Sequence, residues 1–319
     1  MCQEKYYIAF DVSKSKLDYF TPESGAGVIA NDGSAVAKLL RPLARKHGGA
    51  LHVCMEHTGI YGRTLAEFCW ENGITCSLLD PKKIHHFRKE QGEKAKTDSK
   101  DAELIREYAR QRKPEPSQPG NALARKLAEL DKFRAMIVKS AAELKTAIQQ
   151  VSGKDIKSMY AAQIKILERR IAVVTKQMAQ LIAGDERMSQ LKERFMQVQG
   201  IGELTATSMI VYLGDALGQV GDRTVCALAG LAPFADESGR MKGPRRIRGG
   251  RIEPRRALYI AAWTAAKHNH ILSRFYQRLV VENRKPKQLA LIAVARKLLC
   301  LLNRIASDPD FKVITPSAA

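Results

Sequence analysis

The sequence predicts an α/β domain with a mixed sheet, followed by mainly helical structure. Three strand-like segments come first, strand-like and helix-like segments then alternate as far as residue 113, and helical periodicity dominates the remainder. The chain has 319 residues, which is enough for two domains with substantial cores. Its content of 45% hydrophobic and 27% charged residues is ordinary for a globular protein.

The elements of the first domain follow one another in a recognisable order. YYIAFDV, KLDYFTP and the weaker GVIAND are short segments rich in aromatic and β-branched residues, as strands are. SAVAKLLRPLARKHGG reads as a helix that ends in two glycines, LHVCMEHT as a buried strand, and IYGRTLAEFCWEN as a helix closed by Gly73. ITCSLLD is the next strand, and Pro81 can open a further helix. The order β-β-β-α-β-α-β-α is that of the RNase H-like fold, which we predict for residues 1–113.

A proline-rich segment and a helical arm follow. KPEPSQPGN, at 113–121, holds three prolines and one glycine in nine residues and indicates a domain boundary. Residues 121–185 form two helices with heptad-like spacing, joined at VSGKD, and Arg134 stands at the one missing apolar position. They predict an antiparallel hairpin or part of a dimeric coiled coil; the alternative is a pair of ordinary helices packed on a neighbouring domain. The apolar positions are Leu123, Leu127, Leu130, Ile137, Ala141, Leu144, Ile148 and Val151, then Ile164, Leu167, Ile171, Val174, Met178 and Leu181.

A compact, mainly helical domain is expected over residues 190–306, with a tail at 307–319. FMQVQGIGELTATSMI places Gly200 and Gly202 between two helical segments, as in a helix-hairpin-helix element. The N–H groups of such a turn and of the next helix can bind a phosphate, so we predict these glycines as nucleic-acid contacts. A plain tight turn explains the same pattern.

The balance of charge favours a polyanionic partner. Lys and Arg number 53 against 33 acids, for a net charge of +20. Residues 240–304 hold 17 of these bases and two acids, and eight of the bases lie between 240 and 256. A solvated basic face is the bland alternative, and charge does not separate DNA from RNA or from a membrane surface. The predicted nucleic-acid contacts here are Lys242, Arg245, Arg246, Arg248, Arg251 and Arg255.

Targeting and redox signals indicate a cytoplasmic protein. MCQEKYYIAF lacks the apolar run of a signal peptide, and no uncharged apolar run reaches the roughly 18 residues of a spanning helix. The six cysteines form no CxxC pair and lie mostly in apolar surroundings, so we expect reduced core thiols and no zinc site.

Four acids stand where their carboxylates can converge. Asp11 ends the first strand and Glu56 ends a later one, while Asp98 and Asp101 are three residues apart and share one face of a helix. Crowded carboxylates repel one another unless cations lie between them, and two Mg²⁺ ions about 4 Å apart resolve that repulsion. Oxygen ligands without His or Cys favour Mg²⁺ or Mn²⁺.

Each acid also has a simpler explanation. Asp11 before Ser-Lys is typical of a turn, and Asp98 with Asp101 fits a helix N-cap and its N3 position. Glu56, directly after LHVCM, requires a partner if it is buried. The order and placement of all four together favour a metal site.

The motifs IAFDVSK, MEHTGIYG and KTDSKDAE, followed by VQGIGELTA and GLAPFADESGRMKG, resemble the insertion-sequence-110 family of transposases, also called DEDD transposases or bridge-RNA-guided recombinases. The resemblance runs in order from about residue 5 to residue 305. It implies that Asp11, Glu56, Asp98 and Asp101 are a metal-binding tetrad in a resolvase-like domain. It also implies that a coiled coil joins this domain to a C-terminal transposase domain whose serine nucleophile is Ser238. The implied reaction is cutting and joining of double-stranded DNA through a serine–DNA link, guided by a structured RNA.

From the residues alone, Ser238 is a serine in a polar turn. Attack on phosphorus requires its proton to leave and the charge of the phosphate to be offset. No histidine lies in the motif, so we expect Lys242, Arg245, Arg246 and Arg248 to clamp the phosphate. A metal ion on the tetrad would lower the pKa of the hydroxyl, which requires the two domains to meet within one chain or between protomers.

We therefore predict a Mg²⁺-dependent recombinase of the bacterial cytoplasm, associated with the nucleoid and self-associating as a dimer or tetramer. Two alternatives remain open. A junction nuclease would use the tetrad and water and leave Ser238 idle. A non-catalytic nucleic-acid-binding protein would keep binding without cleavage.

Overall fold

The computed structural model describes residues 5–57, 59–92, 98–234, 237–238, 241–242 and 246–313, with the side chains of residues 98, 99, 237, 238, 241 and 242 outside the description. The chain divides into two compact units, Met1–Gly120 and Asn121–Ala319. Among the described residues, no helix combines the length and the hydrophobicity that a membrane span requires.

Unit 1 is built on a five-stranded mixed sheet. Its strands are β1 (Tyr6–Val12), β2 (Lys16–Thr21), β3 (Gly25–Ala30), β4 (Leu51–Glu56) and β5 (Thr75–Leu79). The spatial order is β3-β2-β1-β4-β5. The first three strands pair antiparallel, and β1, β4 and β5 pair parallel. The predicted mixed sheet is confirmed, and its order is consistent with an RNase H-like domain.

Helices cover both faces of this sheet. They are α1 (Gly33–His47), α2 (Arg63–Glu71), α3 (Pro81–Glu90) and α4 (Asp98–Arg112). Because side chains alternate along a strand, Ile8 and Phe10 of β1 face α1 and α2, while Tyr7 and Ala9 face α3 and α4. The sheet therefore has a separate apolar core on each face.

The proline-rich segment lies along the edge of the sheet. Ser117 donates its backbone N–H to the carbonyl of Cys76, 2.7 Å away, and its hydroxyl accepts from the N–H of Leu78 at 2.9 Å. Trp70 of α2 donates its indole N–H to the carbonyl of Ser117 at 2.9 Å. The two units divide at the end of this segment, between Gly120 and Asn121, and the segment also covers β5, an edge strand.

Unit 2 is mainly helical. Its helices are α5 (Ala122–Ala147), α6 (Lys154–Ala183), α7 (Glu186–Met196), α8 (Glu203–Leu213), α9 (Asp222–Leu228), α10 (Ile252–His268), α11 (His270–Gln277) and α12 (Lys287–Ser307). Four two-residue strands lie between α9 and α10: β6 (Pro233–Phe234), β7 (Glu237–Ser238), β8 (Met241–Lys242) and β9 (Arg246–Ile247). The centre of the unit is α8, every residue of which is buried from Thr205 to Leu213.

The two long helices pack antiparallel. Lys145 of α5 forms an ion pair with Glu168 of α6 at 2.7 Å, and Arg134 of α5 donates to the hydroxyl of Thr175 of α6 at 3.1 Å. Earlier residues of α5 therefore contact later residues of α6, as two antiparallel helices do. Among the predicted heptad positions, Leu127, Ile137 and Ala141 of α5 and Val174 and Met178 of α6 are buried. Arg134, at the missing apolar position, therefore bonds across the hairpin. Supercoiling of these helices stays a prediction.

The turn between α7 and α8 requires one of its two glycines. Gly200 has a φ of +105°, and a Cβ added to it would lie 2.7 Å from the Cβ of Ala265 on α10. Gly202 is the N-cap of α8, with a φ of −91° and open space around it. The turn is therefore built for close packing against α10, and Gly202 is the residue left at its surface.

Candidate functional site

Two of the predicted carboxylates are neighbours in the sheet. The parallel pairing of β1 and β4 runs to Phe10 beside Met55, so Asp11 and Glu56 come next on strands about 4.8 Å apart. Asp11 shares the face of Tyr7 and Ala9, and both acids lie half-buried on the side that α4 covers. This alignment brings the two carboxylates to one edge of the sheet, as their positions at strand ends predicted.

The helix across this face carries the third carboxylate. α4 buries Ala102 and Ile105 against the sheet, and Asp101, one residue before this apolar row, is itself buried at 7% exposure. Asp98 begins α4, but its side chain lies outside the described residues. Asp11, Glu56 and Asp101 are thus placed on the same layer between sheet and helix.

Asp101 is held by an arginine that sequence reasoning did not identify. The guanidinium of Arg88, on α3, lies 2.8 Å from Oδ1 of Asp101, with the two side chains 17% and 10% exposed. Removing two charges from water is costly, and this pair offsets the cost by direct contact. The nearby cation therefore neutralises this buried acid.

A further acid, also missed from the sequence, lies opposite Asp11. Antiparallel pairing sets Asp18 of β2 directly across from Asp11, so both side chains project from the same face. Asp18 is 5% exposed and forms an ion pair with Lys16 at 3.1 Å. A charged residue inside KLDYFT was the available signal, but it becomes meaningful only with the strand register.

The chemistry of the donor set fits a divalent cation. Carboxylate oxygens are the ligands that Mg²⁺ and Mn²⁺ prefer, and adjacent acids on one face create the charge that attracts them. Within the described part of the chain, to which the side chain of Asp98 does not belong, no three acidic, His or Cys side chains stand close enough to share an ion. Binding by Asp101 requires it to exchange or share Arg88.

The predicted serine lies in unit 2. Ser238 is in β7, which pairs antiparallel with β8 so that Ser238 is opposite Met241. Its side chain and that of Lys242 lie outside the described residues, as does Arg245 entirely. The contacts of these three predicted site residues are therefore left open.

The remaining predicted cations divide into two pairs. Arg246 and Arg248 are exposed beside β6, and the Arg248 guanidinium lies 5.4 Å from the ring centre of Phe234. Arg251 donates to the carbonyl of Tyr212, and Arg255 donates to the carbonyl of Gly230 at 3.3 Å. The first pair is placed to meet a polyanion, whereas the second pair also bonds to the backbone of its own unit.

The glycines of this segment approach the chain itself. Gly249 and Gly250 have φ values of +68° and +64°, and a Cβ on Gly250 would collide with the backbone of Gly230. Gly250 therefore permits a turn to close against α9, which is a packing role that the sequence alone did not distinguish from contact with nucleic acid.

Comparison with known proteins gives two family matches and two relatives. Residues 11–151 match the IS110 family of DEDD transposases, described as "Transposase", and residues 192–277 match the "Transposase IS116/IS110/IS902 family". The pilin gene-inverting proteins of Moraxella lacunata and Moraxella bovis are each 26% identical to this chain over 305 residues, covering 93% of the chain and 94% of each relative.

The first matched segment contains the four candidate carboxylates, and the second contains the Ser238 motif. The two curated relatives extend this likeness over nearly the whole chain. The chain therefore belongs to the IS110 family of transposases, whose chemistry is DNA recombination.

Proposed function

We propose that this transposase cuts and rejoins the DNA of an insertion sequence with a Mg²⁺ or Mn²⁺ site formed by Asp11, Glu56, Asp98 and Asp101 and with Ser238 as nucleophile. The observation that carries the proposal is the sheet register, which sets Asp11 beside Glu56 on the face covered by the helix of Asp101. Asp11, Glu56 and Asp101 offer their carboxylates on this one face, and carboxylate oxygens are the ligands that Mg²⁺ and Mn²⁺ prefer.

Each group has a defined role in the proposed reaction. A cation held by Asp11, Glu56, Asp98 and Asp101 would offset negative charge on the phosphate and favour the deprotonated form of the attacking hydroxyl. The Oγ of Ser238 attacks phosphorus, its proton leaves to solvent, and the bond to one strand's oxygen breaks. The serine then carries the phosphate until a strand hydroxyl attacks it, which re-forms a DNA phosphodiester and frees the serine. The exposed Arg246 and Arg248 supply positive charge in the same unit.

The names of the relatives favour rejoining over hydrolysis. Both are called pilin gene-inverting proteins, and inversion of a gene requires that cut strands be joined again. A covalent serine–DNA bond retains the phosphodiester energy for that second step, whereas attack by water loses it. A recombinase is therefore better supported than a water-using junction nuclease.

The proposal includes partners beyond the DNA substrate. A structured RNA is the proposed guide, and the turn at Gly202 with the N-terminus of α8 is a proposed phosphate contact of helix-hairpin-helix type. We also propose self-association, as a dimer or tetramer, through the α5–α6 hairpin. This is supported by large apolar side chains on its surface, whose exposed fractions are 58% for Met136, 73% for Met159 and 64% for Val173. The proposed setting is the bacterial cytoplasm, at the nucleoid.

The test is detection of a protein–DNA adduct on a denaturing gel, with element-junction DNA, element RNA and Mg²⁺. Wild type is compared with Ser238→Ala and Asp11→Asn, and with two matched controls. Ser158→Ala removes an exposed hydroxyl of α6, and Glu103→Gln removes an exposed acid of α4, the helix of Asp101.

We expect an adduct in wild type and in both controls, and none in Ser238→Ala, Asp11→Asn or EDTA. Cleavage that persists in Ser238→Ala without any adduct would show a junction nuclease. Binding of DNA without cleavage by any folded form would show a non-catalytic binding protein.

A further inference from the structure

A basic cavity lies at the end of unit 1 away from the candidate metal site. It has a volume of about 340 Å³ and is lined by the start of β1, the residue after β2, the last turn of α1 and the second half of α4. Its basic lining residues are Lys5, Lys46, His47, Arg106 and Arg110. Tyr6 is five residues before Asp11 on β1, so the cavity and Asp11 are about 16 Å apart along the strand.

Two of these cations are already neutralised. Lys46 forms an ion pair with Glu23 at 2.7 Å, and Arg110 forms one with Glu107 at 2.7 Å. Those contacts are at the surface, where ion pairs contribute little and exchange readily with water or with another anion. The net charge of the cavity therefore depends on its other two cations, Lys5 and Arg106.

Neither Lys5 nor Arg106 forms an ion pair with a carboxylate within the described part of the chain, and the charge of Arg106 acts on Glu107 only by helping to lower the pKa of that carboxyl. Nζ of Lys5 lies 3.5 Å from Nδ1 of His52, whose pKa is lowered to about 4 by burial and by Lys5, so this neighbour is neutral near pH 7. The Arg106 guanidinium lies 5.7 Å from the ring centre of Phe20, and its buried Nε has no hydrogen-bond partner. Arg106 therefore carries one buried N–H donor, at Nε, that no hydrogen-bond acceptor satisfies.

The arrangement suits an anion that stays attached to something larger. Arg106 is half-buried at the wall, while Lys5, Lys46 and Arg110 are exposed around it. A phosphate within a polymer could accept a hydrogen bond from Arg106 at the wall and lie close to the exposed Lys5, Lys46 and Arg110. The nucleotides on either side of that phosphate would then continue outside the cavity. Tyr6 and His47, stacked with ring centres 3.7 Å apart, form a rigid part of the wall.

We propose that this cavity binds a backbone phosphate of a nucleic acid, with Arg106 and Lys5 as its main contacts. The site holds nucleic acid on unit 1 at a distance from the carboxylates, so it positions the polymer and takes no part in bond breakage. DNA and RNA share this chemistry, and the experiment separates them.

Binding of a labelled DNA duplex and of a labelled single-stranded RNA is measured with the full-length protein by fluorescence anisotropy, over a range of salt concentrations and in EDTA. Each phosphate contact that is lost lowers the slope of log K against log salt by about 0.9 for a duplex and about 0.7 for a single strand. We expect this fall in Lys5→Gln and in Arg106→Gln for at least one polymer, and that polymer is the ligand. Lys38→Gln, an exposed lysine of α1 outside the cavity lining, is the matched control and keeps the wild-type slope.

Three outcomes would overturn the proposal. The slopes of both folded variants are unchanged for both polymers; Lys38→Gln lowers the slope equally, which makes the effect one of overall charge; or the variants alter only competition by inorganic phosphate, which makes the cavity a small-anion site. If Arg106→Gln does not fold, the exposed Lys5→Gln decides alone. Because the assay measures binding and not cleavage, its result is independent of the serine and metal chemistry proposed above.

Discussion

The ion pair of Arg88 with Asp101 provides the sharpest test of the carboxylate site. Arg88→Gln removes the cation and leaves a buried carboxylate in a structure where the two charged groups are 2.8 Å apart and 17% and 10% exposed. Loss of one partner from a buried pair lowers the free energy of unfolding by about 3–5 kcal/mol. Because both side chains of this pair keep some contact with water, we expect a loss at the lower end of that range, about 3 kcal/mol. We expect unit 1 to lose about that much unfolding free energy in EDTA.

Divalent cations should reverse this loss. If Asp101 is a metal ligand, Mg²⁺ supplies the positive charge that Arg88→Gln removes, and binding to the folded state raises stability by mass action. In wild type the ion must first displace Arg88 from Asp101, so wild type gains less stability from Mg²⁺ than the variant does.

The assay is urea unfolding followed by Trp70 fluorescence, with Trp263→Phe as the common background, in EDTA and in Mg²⁺. Arg112→Gln is the matched control because its pair with Glu90 also joins α3 and α4, at 3.0 Å, but is 55% and 59% exposed. That pair is worth at most about 1 kcal/mol and should not respond to Mg²⁺. Equal losses in both variants, or no recovery of Arg88→Gln in Mg²⁺, would refute the reasoning.

Three further predictions concern pH, packing and charge. Burial lowers the pKa of His52 to about 4, so between about pH 6.5 and pH 4 the unfolded chain binds a proton that the folded chain does not. The free energy of unfolding therefore falls by up to about 3 kcal/mol as the pH decreases over this range. His52→Gln should remove this pH dependence, as measured by urea unfolding at each pH. Gly200→Ala should cost about 1–3 kcal/mol in thermal unfolding, because it adds a Cβ at positive φ against α10. Asp18→Asn should weaken Mg²⁺ binding roughly fivefold in a titration of Mg²⁺-induced stabilisation, because Asp18 adds negative charge opposite Asp11.

Each of these has its own control. Gly202→Ala, at negative φ with open space, should leave the melting temperature nearly unchanged, and equal losses at the two glycines would contradict the packing argument. For His52→Gln, a pH profile parallel to that of wild type would show that folding does not lower the pKa of this ring. An unaltered Mg²⁺ titration in Asp18→Asn would place its carboxylate outside the field of the site.

The sequence was informative where a signal is local. Alternation of apolar residues predicts the strands of unit 1, and an acid at the end of a strand predicts the positions of Asp11 and Glu56. The 4-3 spacing of apolar residues likewise predicts the buried stripe of α5 and α6, down to the exceptional position of Arg134.

Features that depend on pairing between distant segments were not predictable. Asp18 becomes a neighbour of Asp11 only through the register of β1 and β2, which a strand pattern does not specify. Arg88 reaches Asp101 because α3 and α4 pack together on one face of the sheet. Nothing in the sequence KKIHHFRKE distinguishes Arg88 from an arginine exposed to solvent. The same holds for Gly250, whose neighbour Gly230 lies twenty residues away in the chain.

The attachment of residues 113–118 to β5 determines where unit 1 can be separated from the rest of the protein. A fragment that stops at the end of α4 would keep every helix and strand of the unit, yet would lose Ser117 and the carbonyl of Glu115 that accepts from the hydroxyl of Ser77 at 2.7 Å. The outer strand would then present free N–H and C=O groups to any other copy in solution, and aggregation would follow. A fragment that ends at Gly120 retains its own cover, so the shortest self-sufficient form of this unit extends past its last helix.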